Sequence, residues 1–179
     1  MKKNLYRGIR KDNGEWAFGF PFVGETSSYI LYAKMSSGSG SMFFEFDGVE
    51  VFPETVGQYT GLHDATKWEN LPEKEQQEFL RIHKKEDWNG KMIFEGDIIK
   101  SDNGRHSAIS VVKFGEYYPK LFFAMLDICC TGVQHLNANG FYLESAKHED
   151  MILFKSRHLV VIGNIYDNPD LLLESKEEK

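Results

Sequence analysis

Four groupings along the 179-residue chain bring together side chains that can do chemistry. His63-Asp64 resembles the paired metal ligands of phosphohydrolases. Such centres need further His and Asp residues, mostly on helices, and no supporting set accompanies this dipeptide, which closes a β-patterned stretch and reads as a turn. "KHEDM" places His148, Glu149 and Asp150 together, with His158 after them. Adjacent residues in a turn point apart, and the C-x2–4-C with H-x3–5-H spacing that zinc favours is absent. Cys129 and Cys130 are neighbours, with His135 five residues beyond the second. A thiol becomes a nucleophile when a base or a helix N-terminus lowers its pKa, and "CCTGVQH" establishes neither. Neighbouring cysteines rarely bridge, because disulfide geometry wants the Cα atoms farther apart. Both therefore read as reduced thiols of a cytosolic protein.

The fourth grouping is Glu95-Gly96-Asp97, inside "MIFEGDIIKSDNG" (Met92–Gly104). It is either a catalytic acid in a turn or a strand rounding a corner of a small barrel. On a regular strand Ile93, Glu95 and Asp97 share one face, and Phe94 and Ile98 the other. A bulge at Gly96 resets that alternation and sends Ile99 inward, which is how small barrels turn corners. Glu95 and Asp97 then lie near the edge, as solvated carboxylates or as acceptors of backbone N–H groups at the bend. Neither a G-x4-GK[ST] loop nor a dinucleotide-binding glycine fingerprint occurs. No catalytic, cofactor-binding or metal-ligating residue is assigned, and no cofactor is expected.

Charge bears on partners. Lys and Arg number 21 against 27 Asp and Glu, a formal net charge of −6, which disfavours binding that depends on neutralising phosphates. "YYPKLFF" (Tyr117–Phe123) supplies the aromatics of a base-stacking platform, but alternate aromatics also fill cores. A protein partner is expected, single-stranded nucleic acid is the alternative, and an enzyme of unrecognised type is a third reading. The basic start "MKK" lacks the apolar run of a signal peptide, and no run of about 18 apolar residues suggests a membrane span. The expected location is the cytoplasm.

The elements that must hold these residues are mostly strands. Aromatics make up 14% of the chain, and aromatic side chains suit pleated surfaces. "EWAFGFPFV" (Glu15–Val23), "SYILYAK" (Ser28–Lys34), "MFFEF", "VEVF" and "TVGQYTGL" (Thr55–Leu62) read as strands. "SSGSGS" (Ser36–Ser41) reads as a flexible loop, and Asp47-Gly48 as a hairpin turn joining "MFFEF" to "VEVF". The period then changes. "NLPEKEQQEFLRIHKK" (Asn70–Lys85) predicts an exposed helix of about three to four turns, capped by Asn70 with Glu73 as its capping-box partner and resting on the barrel through Phe79 and Ile82. Strands resume in "MIFEGDIIK", "SAISVVKF", "LFFAMLDI", "GFYLES", "MILFK" and "HLVVIGNIY". "DNPDLLLE" predicts a short helical turn with Asn168 as cap and Pro169 in its first position.

Four blocks occur in order: "QYTGLHD" (Gln58–Asp64), "NGKMIFEGDII" (Asn89–Ile99), "VVKF" (Val111–Phe114) and "VIGNIYDNPDLL" (Val161–Leu172). In these the chain resembles the YopX-like family of phage and prophage proteins. The resemblance implies a mainly β sandwich or barrel of short, mostly antiparallel strands, encoded on a mobile element and working in a bacterial host, and it transfers no catalytic residue to Tyr59, Glu95, Asp97 or Asn164. Relative to that pattern, Ala65–Trp88 is an insertion, expected to be peripheral. The expected organisation is one unit over 1–179, divisible into an N-terminal β lobe (1–62), the helical insertion (65–88) and a barrel-like C-terminal lobe (89–173).

Overall fold

A computed structural model describes residues 5–38, 41–102, 107–117, 138–145, 151–152 and 159–173. The chain divides into two compact units, Met1–Gly61 and Leu62–Lys179.

The first unit is built from β1 (Tyr6–Ile9), β2 (Trp16–Val23), β3 (Ser28–Gly38), β4 (Ser41–Val51) and β5 (Gly57–His63), the last of which carries the chain into the second unit. They form most of a six-stranded sheet of order β4-β3-β2-β1-β5-β6, whose last strand, β6, is Met92–Phe94; the pairs from β4 to β5 are antiparallel. Gly14 ends the β1–β2 turn at φ +74°, a conformation that costs glycine little. One expectation fails here. Asp47-Gly48 is not a turn but lies inside β4, where Gly48 pairs with Leu31 and Asp47 with Tyr32. A two-residue hairpin turn needs positive φ, and Gly48 is not among the glycines that have it. The strand register instead puts the reversal after Gly38, which pairs with Ser41, so the stretch read as a loop is mostly strand.

One face of this sheet is closely packed. Ile30 and Val51 are fully buried. A Cβ on Gly8 would come within 3.1 Å of a Val51 methyl, and one on Gly19 within 2.1 Å of the Leu31 carbonyl oxygen. Small residues on that face are thus what lets the neighbouring groups approach. Thr55 locks the exit from β4: its Oγ1 accepts from the Ile9 amide at 2.9 Å and donates to the Phe52 carbonyl at 2.7 Å.

In the second unit β6 (Met92–Phe94) and β7 (Asp97–Asp102) are separated by Glu95-Gly96. β7 joins β8 (Ser107–Tyr117), β9 (Ala138–Ser145), β10 (Met151–Ile152) and β11 (Leu159–Asn164) in a five-stranded antiparallel sheet of order β10-β9-β8-β7-β11. Its core is Ile93, Ile99, Val112, Leu143 and Leu159, with Leu62, Phe141 and Val161 packed against it. Each such side chain contributes about 1.5–3 kcal/mol when fully buried. The fold is mainly β and sandwich-like. Both sheets are open, and neither closes into a barrel among the described residues. "LFFAMLDI" lies outside them.

The insertion contains a helix, but a shorter one than its sequence suggests. α1 runs Glu73–Leu80 and starts behind Pro72, with no side-chain cap from Asn70, which belongs to a preceding 3-10 turn at Trp68–Asn70. Ile82 is 81% exposed and anchors nothing. Phe79 instead packs edge-on against Trp68 and Trp88, with ring centroids 5.8 and 5.2 Å away, and stacks on His83 at 4.7 Å. Leu71 is buried, and the Gln76 side-chain amide donates to the Trp68 and Leu71 carbonyls. The insertion therefore carries a small aromatic core of its own.

Candidate functional site

The acids that looked most like chemistry are occupied with the backbone. Asp64 follows β5 and is buried. One carboxylate oxygen accepts from the Thr66 amide at 2.9 Å and the Lys91 amide at 2.7 Å. The other accepts from the Thr66 hydroxyl at 2.6 Å and the Val161 amide at 2.9 Å. The main chain adds Asp64 N–H to Lys91 carbonyl and Ala65 N–H to Leu159 carbonyl, at 2.9 and 2.8 Å. Three distant segments are thus stitched at one side chain. Gly90, at φ +94°, makes room for this, since a Cβ there would lie 2.1 Å from the Asp64 carbonyl oxygen. An ionised carboxylate is acceptor-only, with about four lone-pair sites, and four donors are what it meets here.

Glu95-Gly96-Asp97 is a corner, as its glycine suggests. Gly96 has φ +82°, its amide donates to the Val112 carbonyl, and its carbonyl accepts from the Ile165 amide, both at 2.9 Å. Asp97 is only 1% exposed and accepts the Phe94 amide at 2.8 Å. Of the two non-catalytic roles expected of it, the backbone acceptor is observed and the solvated edge is not. The face assignment also changes: Ile93, Phe94, Ile98 and Ile99 are all buried, because the chain turns between the two pairs rather than continuing through them.

The C-terminal block closes on itself in the same way. The Asn164 side-chain oxygen accepts from the Tyr166 and Asp167 amides, each at 2.9 Å, and its amide group donates to the Asp167 carboxylate at 2.7 Å. Asn168 turns its side chain back toward this loop, accepting the Asn164 amide at 3.4 Å. A Cβ on Gly163 would sit 2.5 Å from that Asn168 oxygen. β11 bulges between Val161 and Gly163 to accommodate the turn. A helical turn is present at residues 171–173, but it begins two residues after Pro169, and the Asn168 side chain accepts the Asn164 amide rather than capping it.

His63 is half-buried at the end of β5. Among the described residues no group of three or more His, Cys, Asp and Glu is placed to hold a metal ion. Cys129, Cys130, His135, His148, Glu149, Asp150 and His158 fall outside the described residues, as does most of the Tyr117–Phe123 run.

What the structure adds is a surface that sequence reasoning did not single out. On β2, Trp16, Phe18, Phe20 and Phe22 alternate with Ala17, Gly19 and Pro21. The small residues belong to the closely packed face, and the aromatics to the other. Phe18 is 47% exposed, Phe20 59% and Phe22 56%. The same face continues through Tyr29 and Leu31 on β3, opposite Phe22 and Phe20, to Phe46 on β4, opposite Ala33 and 75% exposed. The Arg7 guanidinium lies 4.3 Å from the Trp16 ring centroid, a cation–π contact. Exposed ion pairs, Arg10–Asp12 and Lys11–Glu50, lie near the start of β2. The alternation of aromatic with small residues was visible in "WAFGFPFV". Its direction was not, because large apolar residues ordinarily turn inward.

A family model described as "YopX protein" matches residues 84–173. No curated protein and no solved structure matches the chain.

Proposed function

The chain belongs to the YopX protein family, and from this premise we propose that it is a phage- or prophage-encoded accessory protein that works in the host cytoplasm by binding a protein partner rather than by catalysis. The observation that supports binding is the aromatic face of β2–β4, with four phenylalanines about half or more exposed on one side of one sheet. Monomeric soluble proteins rarely leave large contiguous apolar patches in water, and such patches commonly mark interaction sites. No helix among the described residues is long and apolar enough to cross a membrane.

Single-stranded nucleic acid is the second reading, favoured by exposed aromatics beside Arg7. Against it stands the charge. Acids slightly outnumber bases within residues 1–61, as they do in the whole chain, so a phosphate-tracking groove has little to draw on. Affinity capture from host lysate, with and without nuclease, decides between them. A partner that survives nuclease and is lost with Phe20→Lys supports the protein reading. A nuclease-sensitive one overturns it.

A further inference from the structure

We infer that the occupant of the aromatic face is a second copy of this chain, packed sheet against sheet across a twofold axis; this rests on the reading of β2–β4 as a protein-binding surface. Area is the first argument. Aromatic side chains bring about 150–250 Å² each, so Phe18, Phe20, Phe22 and Phe46 at their observed exposures offer on the order of 500 Å². That is over half of the roughly 800 Å² per partner in a standard interface, before Tyr29 and Leu31 are counted.

Charge is the second argument. The face presents no net field for a charged partner to complement. Its nearby charges are already matched, Arg10 with Asp12 and Lys11 with Glu50, and Arg7 stands over Trp16. A surface of this kind complements itself: apolar centre meets apolar centre. A twofold centred on Phe20 and Leu31 keeps the two Arg7 side chains apart, since Arg7 pairs with Phe18 to one side of that centre. Shape is the third argument. Sheets pack face to face within about 30° when their twists match, and a second copy brings an identical twist. Two-fold dimers built from one self-complementary patch are also the commonest closed assembly.

The test is sedimentation velocity on the full chain across a dilution series, with Phe20→Lys, Phe20→Glu and, as a control on α1, Ile82→Lys. The expected result is twice the chain mass for the native protein and Ile82→Lys, the single-chain mass for each Phe20 variant alone, and partial return of the double mass when the two Phe20 variants are mixed. Far-UV circular dichroism checks that each variant keeps its β signal. A native chain that stays single at every concentration overturns the inference, as does a dimer indifferent to both Phe20 variants. If the native chain is single but captures a nuclease-resistant partner that Phe20→Lys loses, the second copy is wrong and the protein-binding reading stands. If Phe20→Lys instead abolishes oligonucleotide binding, both are wrong.

Discussion

The Asp64 carboxylate and the Val161 amide, 97 positions apart in the chain, share a 2.9 Å hydrogen bond. The same side chain also holds Thr66 and Lys91. Asp64→Ala leaves several donors without an acceptor in a buried place. Each unsatisfied buried group costs about 1–3 kcal/mol, and with partial relaxation the expected loss is about 3–5 kcal/mol in urea unfolding. Asp64→Asn, which replaces an acceptor with a donor that faces other donors, should also destabilise. A control at an exposed carboxylate, Glu86→Gln, should change little. A fully stable Asp64→Ala protein would show that the stitch is decorative.

Gly90 and Gly96 both have positive φ, but their surroundings differ. A Cβ at Gly96 meets only ordinary contacts, the nearest being the Tyr166 ring at 3.4 Å, whereas one at Gly90 collides with the Asp64 backbone. Gly96→Ala should cost the backbone term alone, about 1–2 kcal/mol. Gly90→Ala should cost more, because the clash falls on rigid main chain. Thermal melts of the two variants rank them, and the reverse order would contradict this account.

Trp68, Phe79 and Trp88 pack with one another within the insertion. Replacing residues 68–86 with a short Gly-rich linker, keeping Thr66 and Trp88, should preserve the far-UV β signal and reduce the near-UV tryptophan signal. Thr66 must stay because it binds the Asp64 carboxylate. Global unfolding would mean that Leu71, which is buried, or the Lys91–Glu75 pair at 2.9 Å holds more than the insertion.

The Glu50 carboxyl titrates below the ordinary range, first through its hydrogen bond from Lys11 and then through one from Ser27. A depressed folded pKa adds stability above the unfolded value, and that stability is lost as pH falls through the folded value. The native protein should therefore hold a small advantage over Glu50→Gln at neutral pH that disappears in acid. Melting temperatures across a pH series check it, and solvent exposure together with added salt should shrink the effect.

The strands were legible because alternation and turn residues act locally. "EWAFGFPFV" and "SAISVVKF" became β2 and β8 with little change in bounds, and Gly96 marked its corner. Asp47-Gly48 misled because a strong local turn signal was overridden by the ladder to β3, a non-local fact. The helix starts later than its pattern because Leu71, before Pro72, is held extended, and the partners of Phe79, Trp68 and Trp88, lie outside the periodic stretch. The role of Asp64 was unreadable for the same reason. Its donors come from residues 66, 91 and 161, and no window along the chain contains all three.

The span of that stitch also sets an order of events during synthesis. Four strands of the first sheet, β1 to β4, are encoded within residues 1–61, so they pair as soon as that stretch has left the ribosome, and β6 joins the β5 side of that sheet later. The second unit has no such freedom. β11 lies beside β7 and is tied to Asp64 and Ala65, so the sheet waits with an open edge until residues 159–164 emerge. Translation therefore delivers most of the N-terminal sheet well before the second can be finished. In that interval the uncovered edge of β7 is the segment most exposed to wrong pairing and to chaperones.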